Sequence, residues 1–384
     1  MTKLEELIQE LCQYGVKYAE LREILKIKNG SDYKGFAEGT IPVYGSGGIL
    51  AHIDRYAYNK PSVLIPRKGS IDKLYYVDTP FWNVDTIFYT EIFPDKAIPR
   101  YVYHCLLREH LEQYNTAGGV PSLTQAVLNK VKIPVPPLPV QEEIVRILDS
   151  FTELTAELTA ELTARKKQYE YYRERMLSFT NEKVPQYSLD ELCDIVDYRG
   201  KTPLKSDDGI FLVTAKNIRF GYIDYNKSKE YIPKDTYHEV MRRGYPKIGD
   251  ILITTEAPCG NVAMVDKENI ALAQRVIKYR PKDQKILNNR YLLHILMGNE
   301  FQEKLAQAST GGTVKGIKGS KLHKLTIPVP SLATQNKIVQ VLDNFDSICS
   351  DLKIGLPAEI EARTKQYKYY RDKLLSFKET PTYE

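Results

Sequence analysis

Two long stretches of the chain carry the hydrophobic spacing of an α-helix. Apolar side chains recur at steps of three and four over residues 141–179 and again over residues 338–377. The first stretch would form about 58 Å of helix at 1.5 Å per residue. Because so long a helix cannot be buried within one domain, we expect the two apolar seams to pack against each other in antiparallel directions. Residues 355–357, Gly-Leu-Pro, predict a kink or break in the second helix.

Both helical stretches belong to an internal repeat. The segment IPVPPLPVQEEIVRILDSF at 133–151 returns as IPVPSLATQNKIVQVLDNF at 327–345, with 11 of 19 positions identical. ARKKQYEYYRERMLSF at 164–179 returns as ARTKQYKYYRDKLLSF at 362–377, with 11 of 16 identical. Weaker matches lie upstream, where Arg100-Tyr101 and His104 correspond to Arg290-Tyr291 and His294. Each half of the chain is therefore a variable body followed by a nearly constant tail.

The two bodies alternate short apolar runs with Gly and Pro turns. Strands are predicted at 41–44, 62–65 and 86–89 before a helix at 100–114, and at 211–213, 250–254, 262–265 and 275–278 before a helix at 289–307. The expected fold class is α+β, with two mixed α/β bodies separated by a pair of long antiparallel coiled-coil helices in a pseudo-twofold repeat. We expect an N-terminal helix and first body at 1–135, a central helical spacer at 136–182, a second body at 183–329 and a distal helical spacer at 330–384.

Composition narrows the class of protein. With 42% hydrophobic and 27% charged residues, the 384-residue chain is globular. The sequence has neither an apolar run of 18 residues nor the pattern of a signal peptide, so we expect a cytoplasmic protein without a membrane segment. The five cysteines are scattered and odd in number, which argues against disulfides and against a zinc site.

Charge is unevenly distributed along the chain. The overall net charge is +5, but residues 16–132 carry +3, residues 184–326 carry +6 and the remainder carries −4. This distribution is typical of two polyanion-binding bodies joined by neutral or acidic connectors. Chance imbalance of surface charge remains an equal alternative on this observation alone.

Several loops in the bodies have the residue types that nucleic-acid contacts require. Gly-rich segments at 116–122 and 310–316 allow the backbone to approach phosphate closely, Arg and Lys donate to guanine or phosphate, and Asn217 or Gln125 has the amide that pairs with adenine. Each residue alone is a weak signal, and an ordinary surface role is the alternative. The candidate DNA-contacting residues are Ser46, Arg67, Lys68, Thr116, Ser122 and Gln125 in the first body, and Arg199, Lys201, Lys216, Asn217, Arg219, Arg275, Thr313, Lys315 and Lys318 in the second.

The sequence lacks the motifs of common catalytic sites. No GxxxxGK[ST] loop, βαβ-opening GxGxxG, HExxH or GxSxG is present, nor is the Asn-Pro-Pro-aromatic tetrapeptide of amino-methyltransferases. The six histidines form no cluster with metal-ligand spacing. We therefore predict no catalytic residues, no metal and no cofactor bound by the chain itself.

The arrangement of body, tail, second body and second tail resembles the specificity subunits of type I restriction-modification enzymes over essentially the whole chain. The resemblance implies two target-recognition domains that each read half of a bipartite site in double-stranded DNA, and two conserved helices that set the gap. It also implies docking of two methyltransferase subunits, which bind S-adenosylmethionine and methylate adenine N6, and association with endonuclease/translocase subunits. The alternative is a scaffold that bridges proteins, with the charged bodies docking proteins instead of DNA.

The first tail departs from the family pattern at a tandem tetrapeptide. Residues 155–158 and 159–162 both read Thr-Ala-Glu-Leu, where the second tail has a Gly-Leu-Pro segment. One copy of the tetrapeptide adds about 6 Å of helix and roughly 40° of rotation. We interpret it as a ruler element that sets the spacer.

Overall fold

The computed structural model describes residues 2–115, 118–179, 183–198, 203–311, 315–350 and 355–380. The chain divides into two compact units. Unit 1 comprises Met1–Thr159 and Glu359–Glu384, and unit 2 comprises Ala160–Ala358. Each unit therefore combines one variable body with the beginning of the tail that follows it and the end of the other tail.

The first half of the chain contains a mixed body followed by one long helix. Its helix α5 confirms the predicted helical stretch at 141–179, but begins at Leu138 because Pro139 fits a first helical turn, where its missing N–H has no intrahelical partner to lose. The elements are α1 (Lys3–Leu11), β1 (Tyr18–Glu20), α2 (Leu21–Ile24), β2 (Leu25–Lys28), β3 (Glu38–Gly45), β4 (Gly48–Ile53), β5 (Ser62–Pro66), β6 (Tyr75–Val77), β7 (Trp82–Asn83), β8 (Ile87–Ile92), α3 (Pro99–Arg108), α4 (Gln125–Leu128), β9 (Lys132–Pro134) and α5 (Leu138–Leu177).

The second half repeats this order, and its tail forms two helices on either side of residues 351–354. Gly355 is non-helical and α12 begins at Leu356, which agrees with the interruption predicted at the Gly-Leu-Pro segment, although Leu356 and Pro357 themselves form the first turn of α12. The elements are β10 (Gln186–Ser188), α6 (Leu189–Leu192), β11 (Cys193–Asp197), β12 (Ile210–Val213), β13 (Tyr231–Ile232), α7 (Tyr237–Val240), β14 (Ile251–Thr255), β15 (Cys259–Met264), β16 (Ile270–Leu272), β17 (Val276–Pro281), α8 (Asn289–Met297), α9 (Asn299–Ala308), α10 (Gly319–Leu322), β18 (Thr326–Pro328), α11 (Leu332–Ser350) and α12 (Leu356–Leu374).

Two predicted body helices are shorter than their sequence pattern indicated. The stretch at 100–114 leaves the α-helix after Arg108, turns through His110 at φ +46° and ends in a 3-10 helix at Leu111–Tyr114. The stretch at 289–307 divides into α8 and α9 at Gly298, whose backbone is extended. A Cβ at Gly298 would lie 3.3 Å from the Leu177 side chain, so glycine permits close packing against the end of α5.

The sheets of the two bodies follow the same plan although their sequences differ. Unit 1 has an antiparallel sheet in the order β2-β8-β5-β6, a three-stranded sheet β4-β3-β7 and a two-stranded sheet β1-β9. Unit 2 has the corresponding orders β11-β17-β14-β15, β13-β12-β16 and β10-β18. The inner strands β5 and β14 are buried at every position, as expected for short runs of Val, Leu and Ile. The predicted fold class is confirmed.

A buried glutamine at the start of each tail fixes the tail helix to its body. In unit 1 the Gln141 side chain donates to the carbonyls of Lys96 (3.0 Å) and Pro136 (2.8 Å) and accepts from the Ile98 N–H (2.9 Å). In unit 2 Gln335 makes the same three bonds, donating to the carbonyls of Ile286 (2.8 Å) and Pro330 (2.9 Å) and accepting from the Asn288 N–H (2.9 Å). Both glutamines are fully buried, so these bonds satisfy groups that water does not reach.

About two helical turns further along, an aspartate joins each tail to its body through an arginine and a histidine. Asp149 accepts from Arg100 Nε at 2.8 Å and pairs with His104 Nε2 at 2.9 Å. The equivalent Asp343 accepts from Arg290 and pairs with His294 Nε2 at 2.7 Å. We call each set of a glutamine, an aspartate, an arginine and a histidine a helix clamp. The clamps explain why these residues are identical in both halves of the chain.

The tails also pack on each other in both units. In unit 1 Phe151 of α5 stacks on Tyr370 of α12 with ring centroids 5.2 Å apart. In unit 2 the repeat-equivalent Phe345 of α11 stacks on Tyr172 of α5 at 5.6 Å. Residues that are early in one tail thus meet residues that are late in the other, which confirms antiparallel packing. The N-terminal helix α1 belongs to unit 1, where Leu4 is buried and Lys3 Nζ lies 3.1 Å from Glu143 Oε2.

Candidate nucleic-acid interface

In unit 1 the candidate residues meet where β5 ends. The Arg67 N–H donates to the Thr86 carbonyl (2.8 Å), and the Arg67 carbonyl accepts from the Leu123 N–H (2.9 Å). Lys68 forms a β-bridge with Ser122, and Gly69 donates to the Pro121 carbonyl at 3.0 Å. These bonds join two loops that are more than 50 residues apart in sequence. We call residues 46, 67–69 and 121–123 the first loop cluster.

The β3–β4 turn completes the first loop cluster. The Ser46 N–H donates to Thr86 Oγ1 at 3.4 Å, and the Ser46 carbonyl accepts from the Tyr75 hydroxyl at 3.3 Å. Burial raises the pKa of Tyr75, with a smaller contribution from Asp72, and both effects favour the protonated hydroxyl that donates this bond. The Ser46 side chain is left at the edge of the cluster, near Gly69.

The cluster presents a cation with no bound carboxylate. Lys68 is exposed and makes no ion pair within the part of the chain that the structure describes. The Arg67 guanidinium lies over the Phe88 ring at 5.8 Å, a packing that fixes its stem. Gln125, in the first turn of α4, donates to Asn29 Oδ1 at 3.1 Å and stays partly exposed. Four of the five described candidates of the first body, Ser46, Arg67, Lys68 and Ser122, therefore lie around the end of β5, whereas Gln125 lies on α4 beside Asn29.

Unit 2 builds an equivalent cluster at the end of β14. The Thr255 N–H donates to the Arg275 carbonyl (2.9 Å), and the Thr255 carbonyl accepts from the Ile317 N–H (3.0 Å). Glu256 forms a β-bridge with Gly316. These bonds match those of Arg67, Lys68 and Ser122 in unit 1. We call residues 255–256, 275 and 315–318 the second loop cluster.

The second loop cluster holds three of the predicted cations. Arg275 Nε lies 2.8 Å from Glu256 Oε2, and both side chains remain about half exposed. Lys315 and Lys318 are exposed, and neither makes an ion pair within the described segments. Lys318 is also the N-cap of α10, whose position corresponds to Thr124 before α4. Glu256 was not predicted from the sequence, because a single acidic residue in a basic segment carries no signal of its own.

Asn217 has a structural role that the sequence did not indicate. Its side chain is fully buried, with Oδ1 accepting from the Thr214 N–H and hydroxyl and Nδ2 donating to the carbonyls of Asp224 (2.9 Å) and Ser228 (2.8 Å). Every hydrogen-bonding atom of the amide is used within the fold. The proposed pairing of Asn217 with adenine is therefore wrong for this geometry.

The neighbours of Asn217 remain on the surface. Lys216 is exposed, and Arg219 Nε lies 3.9 Å from Asp224. This loop is attached to β15 through Asn261, which donates to the Ile218 carbonyl at 2.8 Å. Four other candidates, Thr116, Arg199, Lys201 and Thr313, lie outside the described residues.

Each tail also carries an exposed tyrosine. Tyr171 is 57% exposed and Tyr369 is 61% exposed, and these two positions are equivalent in the repeat. Each packs edge-on against the next tyrosine, Tyr172 or Tyr370, at 5.5 and 5.3 Å respectively. The packing of the tails on each other does not require either exposed ring. The pattern thus leaves two equal aromatic patches on the surface.

The described residues include neither a metal-ligand cluster nor a membrane-spanning helix. Within the ranges given above, no group of three or more His, Cys, Asp or Glu side chains is placed to hold a metal ion. None of the described helices combines the length and apolar character needed to cross a membrane.

Comparison with known proteins gives consistent matches along the chain. The family model of the type I restriction modification DNA specificity domain matches residues 14–165 and 181–362. A putative type I restriction enzyme specificity subunit of Haemophilus influenzae is 32% identical over 359 residues, covering 88% of this chain and 89% of the relative. The EcoR124I/EcoR124II specificity subunit of Escherichia coli is 32% identical over 304 residues, covering 75% of this chain and 73% of the relative.

The fold has a solved counterpart. The crystal structure of a type I restriction-modification system S subunit from M. genitalium matches with a TM-score of 0.61 at 14% identity, covering 94% of this chain and 96% of that chain. At this identity the match supports the fold alone. Together with the family model, which spans both bodies and most of both tails, it leads to one conclusion: the chain belongs to the family of type I restriction-modification DNA specificity subunits.

Proposed function

We propose that each body reads one half of a bipartite site in double-stranded DNA. The observation that carries this proposal is the equivalence of the two loop clusters. Equivalent backbone hydrogen bonds attach them to the ends of β5 and β14, but their side chains differ. A shared frame with different side chains suits two readers of different sequences. As a specificity subunit, the chain contributes recognition and no catalytic group to its complex.

Affinity in this proposal comes from phosphate contacts by exposed cations. Lys68, Lys216, Lys315 and Lys318 are exposed, and none of them makes an ion pair within 4.0 Å among the described residues. Each neutralised phosphate releases counterions, so that binding weakens steeply with salt. Arg67, Arg219, Ser46, Ser122 and Gln125 stay candidates for base or phosphate contacts. Thr116, Arg199, Lys201 and Thr313 stay candidates from the sequence.

The paired tails are proposed to set the gap between the two half-sites and to dock two methyltransferase subunits. The two patches, Tyr171 with Tyr172 and Tyr369 with Tyr370, offer the same aromatic surface twice, which suits two copies of one partner. Exposed tyrosines are frequent anchors of protein interfaces. The methyltransferase subunits would bring S-adenosylmethionine and the chemistry at adenine N6, and endonuclease/translocase subunits would join for restriction. We place this assembly in the cytoplasm.

The test is a gel shift with duplex DNA over a series of salt concentrations, with and without the methyltransferase subunit. We expect log affinity to fall linearly with log salt, with a slope of about −0.9 for each phosphate contacted. Lys68→Ala and Lys315→Ala should each reduce the slope by about one contact. Lys365→Ala is the matched control, because Lys365 lies on α12 and pairs with Glu361 at 2.6 Å. Binding that does not respond to salt would favour the protein-bridging scaffold.

A further inference from the structure

The loop clusters differ most at one pair of positions. In unit 2, Glu256 follows β14 and Arg275 precedes β17, and their side chains pair at 2.8 Å. The backbone bonds of unit 1 place Lys68 and Thr86 at the corresponding positions. Unit 1 therefore has an exposed cation, Lys68, where unit 2 has the carboxylate of Glu256. It has the hydroxyl of Thr86 where unit 2 has Arg275.

The backbone of Arg275 is strained. Its φ is +71°, in the left-handed region that residues other than glycine, asparagine and aspartate rarely adopt. In this conformation the Arg275 carbonyl accepts from the Thr255 N–H at 2.9 Å. Strain of this kind persists where the surroundings impose it, and it concentrates at functional sites.

Stability does not account for this arrangement. The Arg275 side chain is 55% exposed and that of Glu256 is 42% exposed. An exposed ion pair adds little to the free energy of unfolding, because water and salt screen it and two long side chains lose freedom. Such a pair does not offset a left-handed arginine. What the pair does achieve is to hold an exposed guanidinium in one orientation.

We infer that Arg275, oriented by Glu256, reads a guanine in the half-site of the second body; this inference rests on the proposed DNA-reading function. Glu256 holds the Nε side of the guanidinium, and the opposite edge remains available for the O6 and N7 acceptors of guanine. This fork of donors is a property of arginine that lysine lacks.

The surroundings of the pair suit close approach of DNA. Gly316 lies against Glu256, and a Cβ there would come within 3.4 Å of the Thr255 carbonyl oxygen and 3.5 Å of Glu256 Cγ. The exposed Lys315 and Lys318 flank Gly316 and can hold phosphates on either side. Arg275 thus stands as a base reader beside phosphate contacts, and Glu256 is its positioning residue.

The experiment compares the methylated sites made in cells by the complete complex carrying wild type, Arg275→Lys, Arg275→Gly or Glu256→Gln. The wild type should methylate a bipartite site with a G·C pair in the half assigned to the second body. Arg275→Lys should lose discrimination at that pair by roughly 10- to 100-fold, while the other half-site and the spacer stay unchanged. Glu256→Gln should relax the same pair by a smaller factor.

Arg275→Gly separates recognition from folding. Glycine accepts φ +71°, so this variant should unfold at the same or a higher urea concentration than wild type and still lose discrimination at the one pair. Two outcomes would overturn the inference. One is a methylated consensus in Arg275→Lys that is the same as in wild type. The other is an equal loss of methylation at all sites together with a smaller salt dependence of DNA affinity in the gel shift, which marks a phosphate contact. If the wild type itself makes no bipartite methylated site, the proposed function fails, independently of Arg275.

Discussion

The two bodies keep the same residues where they hold the tails and different residues where we place DNA. The helix clamps repeat glutamine for glutamine and aspartate for aspartate, with bond lengths that agree within a few tenths of an ångström. The loop clusters repeat only their backbone bonds. Residues that are identical in the two halves therefore attach a tail helix to its body. Residues that differ, on a backbone held by the same hydrogen bonds, are those that we assign to DNA recognition.

The largest effect should come from changing the length of α5. Residues 152–164, which include both TAEL copies, contain no buried side chain, so an added copy disturbs little packing. One more TAEL adds about 6 Å and roughly 40° of rotation. We expect methylation at the original site to disappear and to return at a site whose spacer is one or two base pairs longer, with both half-sites unchanged.

Mapping methylated adenines in cells that carry the insertion checks this expectation. An insertion of four alanines at the same point is the control, since it changes the helix length equally and removes the TAEL chemistry. An unchanged spacer in both variants would show that α5 does not act as a ruler.

The clamps give a second, smaller effect that should be equal in the two units. Each glutamine side chain makes three buried hydrogen bonds. Its replacement in Gln141→Ala or Gln335→Ala therefore leaves two carbonyls and one N–H without a partner. We expect each to lower the free energy of unfolding of its own unit by about 3 kcal/mol. Gln125→Ala, which loses one bond to a surface asparagine, should cost no more than about 1 kcal/mol.

Hydrogen exchange of α3 and α8 under mild urea measures the two units separately. Gln141→Ala should speed exchange in α3 and Gln335→Ala in α8. A change of equal size in both helices for either variant would mean that the clamps do not act on separate units.

These clamp residues show how far the sequence could lead. The apolar spacing and the repeat predicted the paired helices and the two bodies, and the apolar runs predicted seven of the eighteen strands in the described structure, because only the most buried strands have uninterrupted Val, Leu and Ile runs. The repeat also contained every clamp residue, yet spacing along one chain does not reveal that Gln141 meets Lys96 or that Asp343 meets His294. Asn217 was misread for a similar reason, since its burial depends on carbonyls that the fold brings from Asp224 and Ser228.

Protonation of His104 should weaken the helix clamp of unit 1. Burial lowers the pKa of His104, and the hydrogen bond to Asp149 only partly offsets that effect. The folded state therefore keeps His104 neutral while the unfolded chain takes up a proton below about pH 6.5. We expect the free energy of unfolding to fall as the pH drops below that value.

Urea unfolding followed through α3 at pH 7.5 and at pH 5.5 tests this. In His104→Gln, which does not titrate, part of the pH dependence should be missing, although the variant is less stable at both values. The same pH dependence in wild type and variant would remove His104 from the explanation.

The smallest effect concerns a difference between the clamps. His104 Nδ1 bonds the Tyr367 hydroxyl at 2.9 Å, whereas His294 Nδ1 and the hydroxyl of the equivalent Tyr169 are buried without a partner in the described structure. Tyr367→Phe should therefore destabilise unit 1 by about 1 kcal/mol, and Tyr169→Phe should leave unit 2 nearly unchanged. Equal losses in the two variants, measured by urea unfolding, would contradict the difference.

The central claim is that each body recognises its half-site independently of the other. It is tested most directly by replacing residues 183–329 with the corresponding body of the Haemophilus influenzae relative and mapping the methylated adenines made by the resulting complex. We predict that one half-site and the spacer length stay as in the wild type while the other half-site is replaced. A chimera that forms the complex and changes both half-sites together would contradict the account.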